Sequence, residues 1–454
     1  MAKVLISPLG SGRLNRKSEE REYVPANYKF NDSEQEYETT FVTAALAEHL
    51  QIDKVLLLGT SGSMWDEVYN YYTEHSYNAV DMDYWLELVD KKENSSYGDP
   101  KIKKDDLDKV DTAIDNFLAE VNPNSQGGSK AVLIDYGAKE EELWNNFDIF
   151  MELSEELEDG DEVYLDITHS FRSIPIFMYL MMEFIQDLKE ENIELAGLYY
   201  GMLEVKGDLD YAPVVDLKPF FEISQWIRGI YNFTNFGSGY LISNLIEEEE
   251  VSKRINNISN LININYLFDL RQQIDKLREL LTDDSLRELR FLAPLMPRLK
   301  GFVDRFKDVS SEGEFQREIA KWYFENKRYS NGYICLLESV LTSLCEGYSL
   351  DSTKTNNRYL VKTIVASKSL RKNANKLSKS AKNLLEKLAD KYNAINDIRI
   401  SIAHASHTSN PGSFANDIKQ TLKYYNEIKS YFNSKEIEEI YNKLSLDLVK
   451  KYKK

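Results

Sequence analysis

From Lys3 to Leu217 short β-rich runs alternate with longer amphipathic segments, and beyond Phe220 the β signal stops. The runs Lys3 to Ser7, Lys54 to Gly59, Ala79 to Met82, Ala131 to Tyr136, Glu162 to Ile167 and Glu194 to Tyr200 read as strands. Between them, Tyr37 to Leu50, Met64 to Glu74, Asp105 to Val121, Glu140 to Glu158 and Pro175 to Lys189 carry helical spacing. That alternation predicts an α/β domain, a mostly parallel sheet with helices on both faces. Pro213 to Leu217 is expected to add an edge strand, since proline removes a ladder donor. Lys91 to Lys104 and Asn122 to Ser129 read as rim loops, the first long enough to be an insertion. Everything from about Phe220 reads as helix, with a further break at Ser310 to Gly313. Three parts are expected: residues 1–219, a helical connector 220–310, and an all-α domain 311–454.

A chain of 454 residues exceeds one ordinary core, so several domains are expected. With 29 Tyr, 20 Phe and only 10 Pro, it has the composition of a folded, helix-rich protein. The formal net charge of −19 disfavours loose adhesion to nucleic acid or anionic membrane, so any nucleic-acid site must be local. Cys335 and Cys345 sit in an apolar helical stretch without metal-ligand spacing, and read as core residues of a cytosolic protein. The longest apolar run, Ile174 to Met182, falls short of the roughly 18 residues a membrane span needs. No membrane partner is expected, and the protein is placed in the cytoplasm.

Three strand ends finish in small polar loops. Ser7, Pro8, Leu9, Gly10, Ser11 and Gly12 follow the first strand; Thr60, Ser61, Gly62 and Ser63 follow the second. The third is the densest: Asp166, Ile167, Thr168, His169, Ser170, Phe171 and Arg172. Ligands in open α/β sheets sit at the carboxyl ends of strands. Glycines admit backbone N–H groups to a ligand, while hydroxyl, imidazole and guanidinium donors suit phosphates and base edges. Each loop alone is an ordinary turn between strand and helix; three on one rim shift the balance toward a site. A dinucleotide fingerprint is incomplete, because Asn15 stands where its third glycine belongs.

In the helical half, Arg399 and His404 form an R-x4-H preceded by Asn396 and Asp397. At about 100° per residue the pair lies about 140° apart around a helix, which suits a site at a helix end or across an interface. Chance produces such a pair easily, and His407 lies close by. Upstream, Lys354, Arg358, Lys362, Lys368, Arg371, Lys372, Lys376, Lys379, Lys382, Lys387 and Lys391 form a basic stretch in an acidic chain. It reads equally as a solvated helical face or as an approach for RNA.

Together these pieces resemble the CARF-HEPN ribonucleases that accompany type III CRISPR systems. The resemblance rests on the stretches L-I-S-P-L-G, L-L-L-G-T-S-G-S-M-W and D-I-T-H-S-F-R, and on R-x4-H. It covers the α/β part and the C-terminal part, and implies a Rossmann-like CARF ligand-sensing domain over 1–219 and a HEPN nuclease domain over 311–454. It also implies a homodimer or higher homo-oligomer that takes no cofactor and binds a cyclic oligoadenylate, cyclic tetra-adenylate favoured, as activator. Single-stranded RNA is then the substrate of a metal-independent endoribonuclease in antiviral defence, with Arg399, His404 and Asn396 at the reacting phosphate. Ser7, Leu9, Gly10, Ser11, Gly12, Thr60, Ser61, Gly62, Ser63, Thr168, His169, Ser170, Phe171 and Arg172 are the expected ligand-binding residues. A polar residue often follows the HEPN arginine, but here it is Ile400, so polar assistance falls to Asn396, Ser401 or a partner chain. Two alternatives stand beside this reading: the CARF domain also degrades its ligand, or the protein is a non-catalytic ligand-responsive regulator.

Overall fold

The computed structural model describes residues 1–14, 21–169, 171, 173–189, 193–404 and 413–453. The chain divides into two compact units, Met1–Glu222 and Ile223–Lys454. In the first unit the strands are β1 (Lys3–Leu9), β2 (Arg13–Leu14), β3 (Arg21–Glu22), β4 (Ala26–Phe30), β5 (Glu36–Thr39), β6 (Lys54–Gly59), β7 (Lys130–Leu133), β8 (Glu162–Asp166), β9 (Glu194–Gly201) and β10 (Ala212–Asp216). The helices that flank the sheet are α1 (Val42–Leu50), α2 (Trp65–His75), α3 (Met82–Glu93), α4 (Asp108–Val121), α5 (Glu140–Ser154) and α6 (Ser173–Leu188). Eight strands form one sheet in the order β5-β4-β10-β9-β8-β1-β6-β7, and β2 pairs only with β3. The five central strands β9, β8, β1, β6 and β7 are mutually parallel, whereas β10 runs against β9 and β5 against β4.

Period-two geometry explains why the central strands read as continuous apolar runs. On β1, Leu5 and Leu9 enter one core with Val55, Leu57 and Tyr164. Val4 and Ile6 enter the opposite core with Leu56, Leu58, Val163 and Leu165. The first face is closed by side chains of α1, α2 and α4, among them Leu46, Val68 and Ile114. The second is closed by Phe150 and Leu153 of α5 and by Ile174, Met178, Met182 and Ile185 of α6. Each such side chain contributes about 1.5–3 kcal/mol when fully buried.

Several expected elements differ. Ala79 to Met82 forms no strand, because Asp81 caps α3 instead: its Oδ1 accepts the N–H groups of Asp83 and Tyr84. The strand at Ala212–Asp216 lies between β9 and β4, not at an edge. The hairpin β4–β5 was absent from the sequence reading, and the helix expected from Tyr37 begins only at Val42.

The second unit is helical throughout its described residues. Phe315, Ile319 and Tyr323 of the helix Glu312–Glu325 share a core with Leu336, Val340 and Leu344 of Tyr329–Gly347. Leu385, Leu388, Tyr392 and Ile395 of Lys379–Ala403 complete it. Ser311 caps Glu312–Glu325 by accepting the Glu314 N–H, which places a helix start at the expected break. Cys335 and Cys345 are free thiols buried in this core, and burial pushes both up.

Candidate functional site

Because β8, β1 and β6 are adjacent and parallel, their carboxyl ends deliver three loops to one rim. A crevice of about 1250 Å³ opens there. Of the expected ligand residues, Leu9, Gly10, Ser11, Gly12, Thr60, Gly62, Ser63, Thr168, His169 and Phe171 line it. Ser7 and Ser61 do not; both are buried. Ser170 and Arg172 lie outside the described residues, as do Asn15 and His407.

Ser7 acts behind the crevice rather than in it. Its hydroxyl donates to Asp166 Oδ2 at 2.7 Å and meets the Thr43 hydroxyl at 2.7 Å. Asp166, fully buried, also accepts the Thr168 N–H at 2.8 Å, which curls the chain toward His169. The Thr168 hydroxyl accepts the Gly201 N–H at 2.8 Å and so ties the loop to the end of β9. Burial is the largest influence on both members of the Asp166–His169 pair: it pushes the carboxyl up and the imidazole down. Their mutual attraction opposes both shifts. The His169 ring stands edge-on to Tyr23 at 5.2 Å, and its Nε2 is buried without a hydrogen-bond partner among the described residues. Tyr23 accepts the Gly10 N–H at 2.9 Å, so the first and third loops are braced by one ring.

The second loop is a tight wrap around Trp65. The Ser63 hydroxyl donates to the Leu9 carbonyl at 2.8 Å and accepts the Thr60 N–H at 2.9 Å. Trp65 Nε1 donates to the Thr60 carbonyl at 2.9 Å, and its indole is wholly buried. Two glycines make room. A Cβ on Gly59 would lie 2.5 Å from Trp65 Cζ2, and one on Gly62 would lie 2.6 Å from the Tyr136 hydroxyl.

The crevice also takes in residues that the sequence reading missed, including Tyr23, Asp66, Lys92, Tyr97, Tyr136 and Lys206. Lys92 donates to Asp66 Oδ2 at 2.5 Å, and Asp66 is 2% exposed. Its other oxygen has no hydrogen-bond partner among the described residues. Glu67 beside it is pushed up, first by burial and then by the Asp66 charge. Tyr136 follows β7, the next parallel strand on the same rim, so the rule that marked the other loops would have found it.

In the second unit Arg399 is exposed near the end of Lys379–Ala403. His404 stands at that helix end, exposed, its N–H on the Ile400 carbonyl at 3.0 Å, and Asn396 is half-buried on the same helix. Part of the basic stretch is structural. Arg358 pairs with Glu338, the buried Arg371 with Glu386 and the Val365 carbonyl, and Lys391 with Glu427. Lys362, Lys368, Lys372, Lys376, Lys379 and Lys387 are exposed.

An open, mostly parallel sheet with a roomy crevice at its carboxyl rim is the architecture of an α/β ligand-binding domain. Residues 4–204 match the family model of the CARF domain of the CRISPR system endoribonuclease Csx1. Residues 222–312 match that of the second domain of CRISPR-associated protein MJ1674. CRISPR-associated protein MJ1674 from Methanocaldococcus jannaschii is 42% identical over 471 aligned positions, covering 99% of this chain and 72% of that protein. The chain belongs to that family, as a CRISPR-associated CARF-domain protein. Among solved structures, Enterococcus italicus Csm6 bound to cyclic hexa-2'-fluoro-hexa-dAMP matches over 99% of this chain and 100% of that one, at 12% identity and a TM-score of 0.41. No described helix is long and apolar enough to cross a membrane.

Proposed function

We propose that the protein is a cyclic-oligoadenylate-activated endoribonuclease of type III CRISPR defence, sensing through the crevice and cutting single-stranded RNA at Arg399 and His404. The observation that carries the sensing half is the gathering of Thr60, Ser63, Thr168 and His169 around one crevice of about 1250 Å³. That volume and donor set suit a ligand rich in phosphates and hydroxyls. A homodimer doubles the crevice around a two-fold symmetric ring, with cyclic tetra-adenylate the favoured size. The ring activates only by binding one dimer arrangement better than another; equal affinity would shift nothing.

The division into residues 1–219, 220–310 and 311–454 belongs to the same proposal, the last part being the HEPN nuclease. RNA carries its own nucleophile, the 2'-hydroxyl beside the scissile phosphate, so the protein must position it, move protons and stabilise charge. His404 is exposed, and its imidazole can carry the proton transfer. Arg399 offers a fork of donors to the phosphate oxygens as charge builds, and Asn396 assists on the same helix. The 2'-hydroxyl gives up its proton as its oxygen bonds to phosphorus, while the 5'-oxygen leaves and takes up a proton, giving a 2',3'-cyclic phosphate and a 5'-hydroxyl. This route needs no metal because the substrate supplies the nucleophile.

The test is cleavage of a labelled RNA by wild type, Arg399→Ala and His404→Ala with activator present. Both variants should bind the activator normally and leave RNA intact; undiminished cleavage by His404→Ala would remove it from the site. A second reading, that the crevice also cleaves its ligand, is favoured by the imidazole of His169 on the crevice wall beside a buried carboxylate. Following labelled cyclic oligoadenylate in the His404→Ala chain separates a binder, which leaves it whole, from a hydrolase.

A further inference from the structure

Three aromatic rings from three separate segments meet at one end of the crevice. Tyr97 comes from the loop after α3, Tyr136 from the loop after β7, and Phe171 from the loop after β8. Their centroids form a chain: Tyr97 to Tyr136 at 5.6 Å and Tyr136 to Phe171 at 5.7 Å. A cluster of this kind ordinarily closes over itself as core. Here Tyr97 is 50% exposed and Phe171 46%, and all three rings line the cavity.

Two of the rings have fixed neighbours. The Tyr97 hydroxyl donates to Glu142 at 2.7 Å, and the Lys139 ammonium lies 5.5 Å from its ring centre. Tyr136 rests its hydroxyl over Gly62, where any Cβ would stand 2.6 Å away. Gly62 belongs to the Thr60–Ser63 loop, of which Thr60, Gly62 and Ser63 line the crevice that holds the ligand in the proposed function. A ligand phosphate at that loop therefore has an aromatic wall beside it.

We infer that Tyr97, Tyr136 and Phe171 form a stacking wall for one adenine of the cyclic ligand, so that the base as well as the phosphate is bound in this crevice. The inference rests on the proposed reading of the crevice. Its occupant is a base rather than a second protein surface, because the rings line a cavity of about 1250 Å³ together with Thr60, Gly62 and Ser63. Base–aromatic stacking contributes roughly fivefold to a hundredfold in affinity per base and tolerates any ring with a π-face.

The experiment is a titration of full-length protein with fluorescent cyclic tetra- and hexa-adenylate, paired with sedimentation of the free protein. Phe171→Leu keeps apolar bulk but removes the π-face, and should weaken binding about tenfold, while Phe171→Trp should hold it. Tyr136→Leu should weaken it comparably, and Tyr136→Phe should restore it. Wild-type binding with Phe171→Leu and Tyr136→Leu both within about twofold overturns the stacking wall alone. An altered sedimentation coefficient in the leucine variants also overturns it, and makes the rings a protein interface. Absence of any wild-type binding overturns the reading of the crevice, and the wall with it.

Discussion

An alanine at Gly59 would drive a methyl group into the indole of Trp65. The strand backbone accepts alanine, so the consequence is steric. A Cβ there would stand 2.5 Å from Trp65 Cζ2 and 3.0 Å from the Ser63 hydroxyl, against an ordinary contact of 3.4–4 Å. The indole must retreat by about 1 Å inside a close-packed core, at a cost of about 1–3 kcal/mol. Retreat also pulls Nε1 from the Thr60 carbonyl, 2.9 Å away, which adds about 1 kcal/mol. A total of about 2–4 kcal/mol corresponds to a fall in melting temperature of roughly 4–16 °C for a unit of this size. Gly59→Ala is therefore expected to melt earlier by calorimetry and to bind activator more weakly, since Thr60 and Ser63 shift with the indole. Trp65→Phe removes the clashing ring, so the double variant should lose less than the sum of the single losses. A Gly59→Ala protein that melts within about 1 °C of wild type, with additive double-variant losses, would refute this seating of the loop.

The remaining predictions concern single groups. Thr168→Val removes the acceptor of the Gly201 N–H, and should cost about 1–3 kcal/mol in denaturant unfolding and weaken activator binding. Burial pushes Asp111 up to about 6, although its carboxylate accepts the Ala131 N–H at 2.5 Å. Below that pH the folded chain takes a proton that the unfolded chain does not, so the penalty is present above about pH 6 and relieved as pH falls toward 4. Asp111→Asn should accordingly raise the melting temperature at pH 8 and give a smaller gain at pH 5. Asn396→Ala should slow RNA cleavage in single-turnover assays without changing activator affinity.

The parallel strands were legible because burial on both faces writes a dense apolar run, as at Lys54–Gly59, which the sequence reading bounded as the structure does. The hairpin β4–β5 was not, because Ala26–Phe30 alternates buried and half-buried residues over only five positions. Ala79 to Met82 misled because a short apolar run outweighed the capping signal of Asp81. The rim loops were visible as clusters of glycine and hydroxyls, yet that pattern could not tell Thr168, which lines the crevice, from Ser7, which supports Asp166 behind it. Lys92 and Tyr97 escaped because only tertiary packing brings them to the rim; no local pattern links Lys92 to Asp66 across 26 positions.

Fluorescent RNA incubated with full-length protein and cyclic tri-, tetra- or hexa-adenylate in parallel tests ligand-gated RNA cleavage most directly. The account predicts cleavage with cyclic tetra-adenylate, little without activator, and none in His404→Ala. Intact RNA with all three rings, or equal cleavage with and without them, would contradict it.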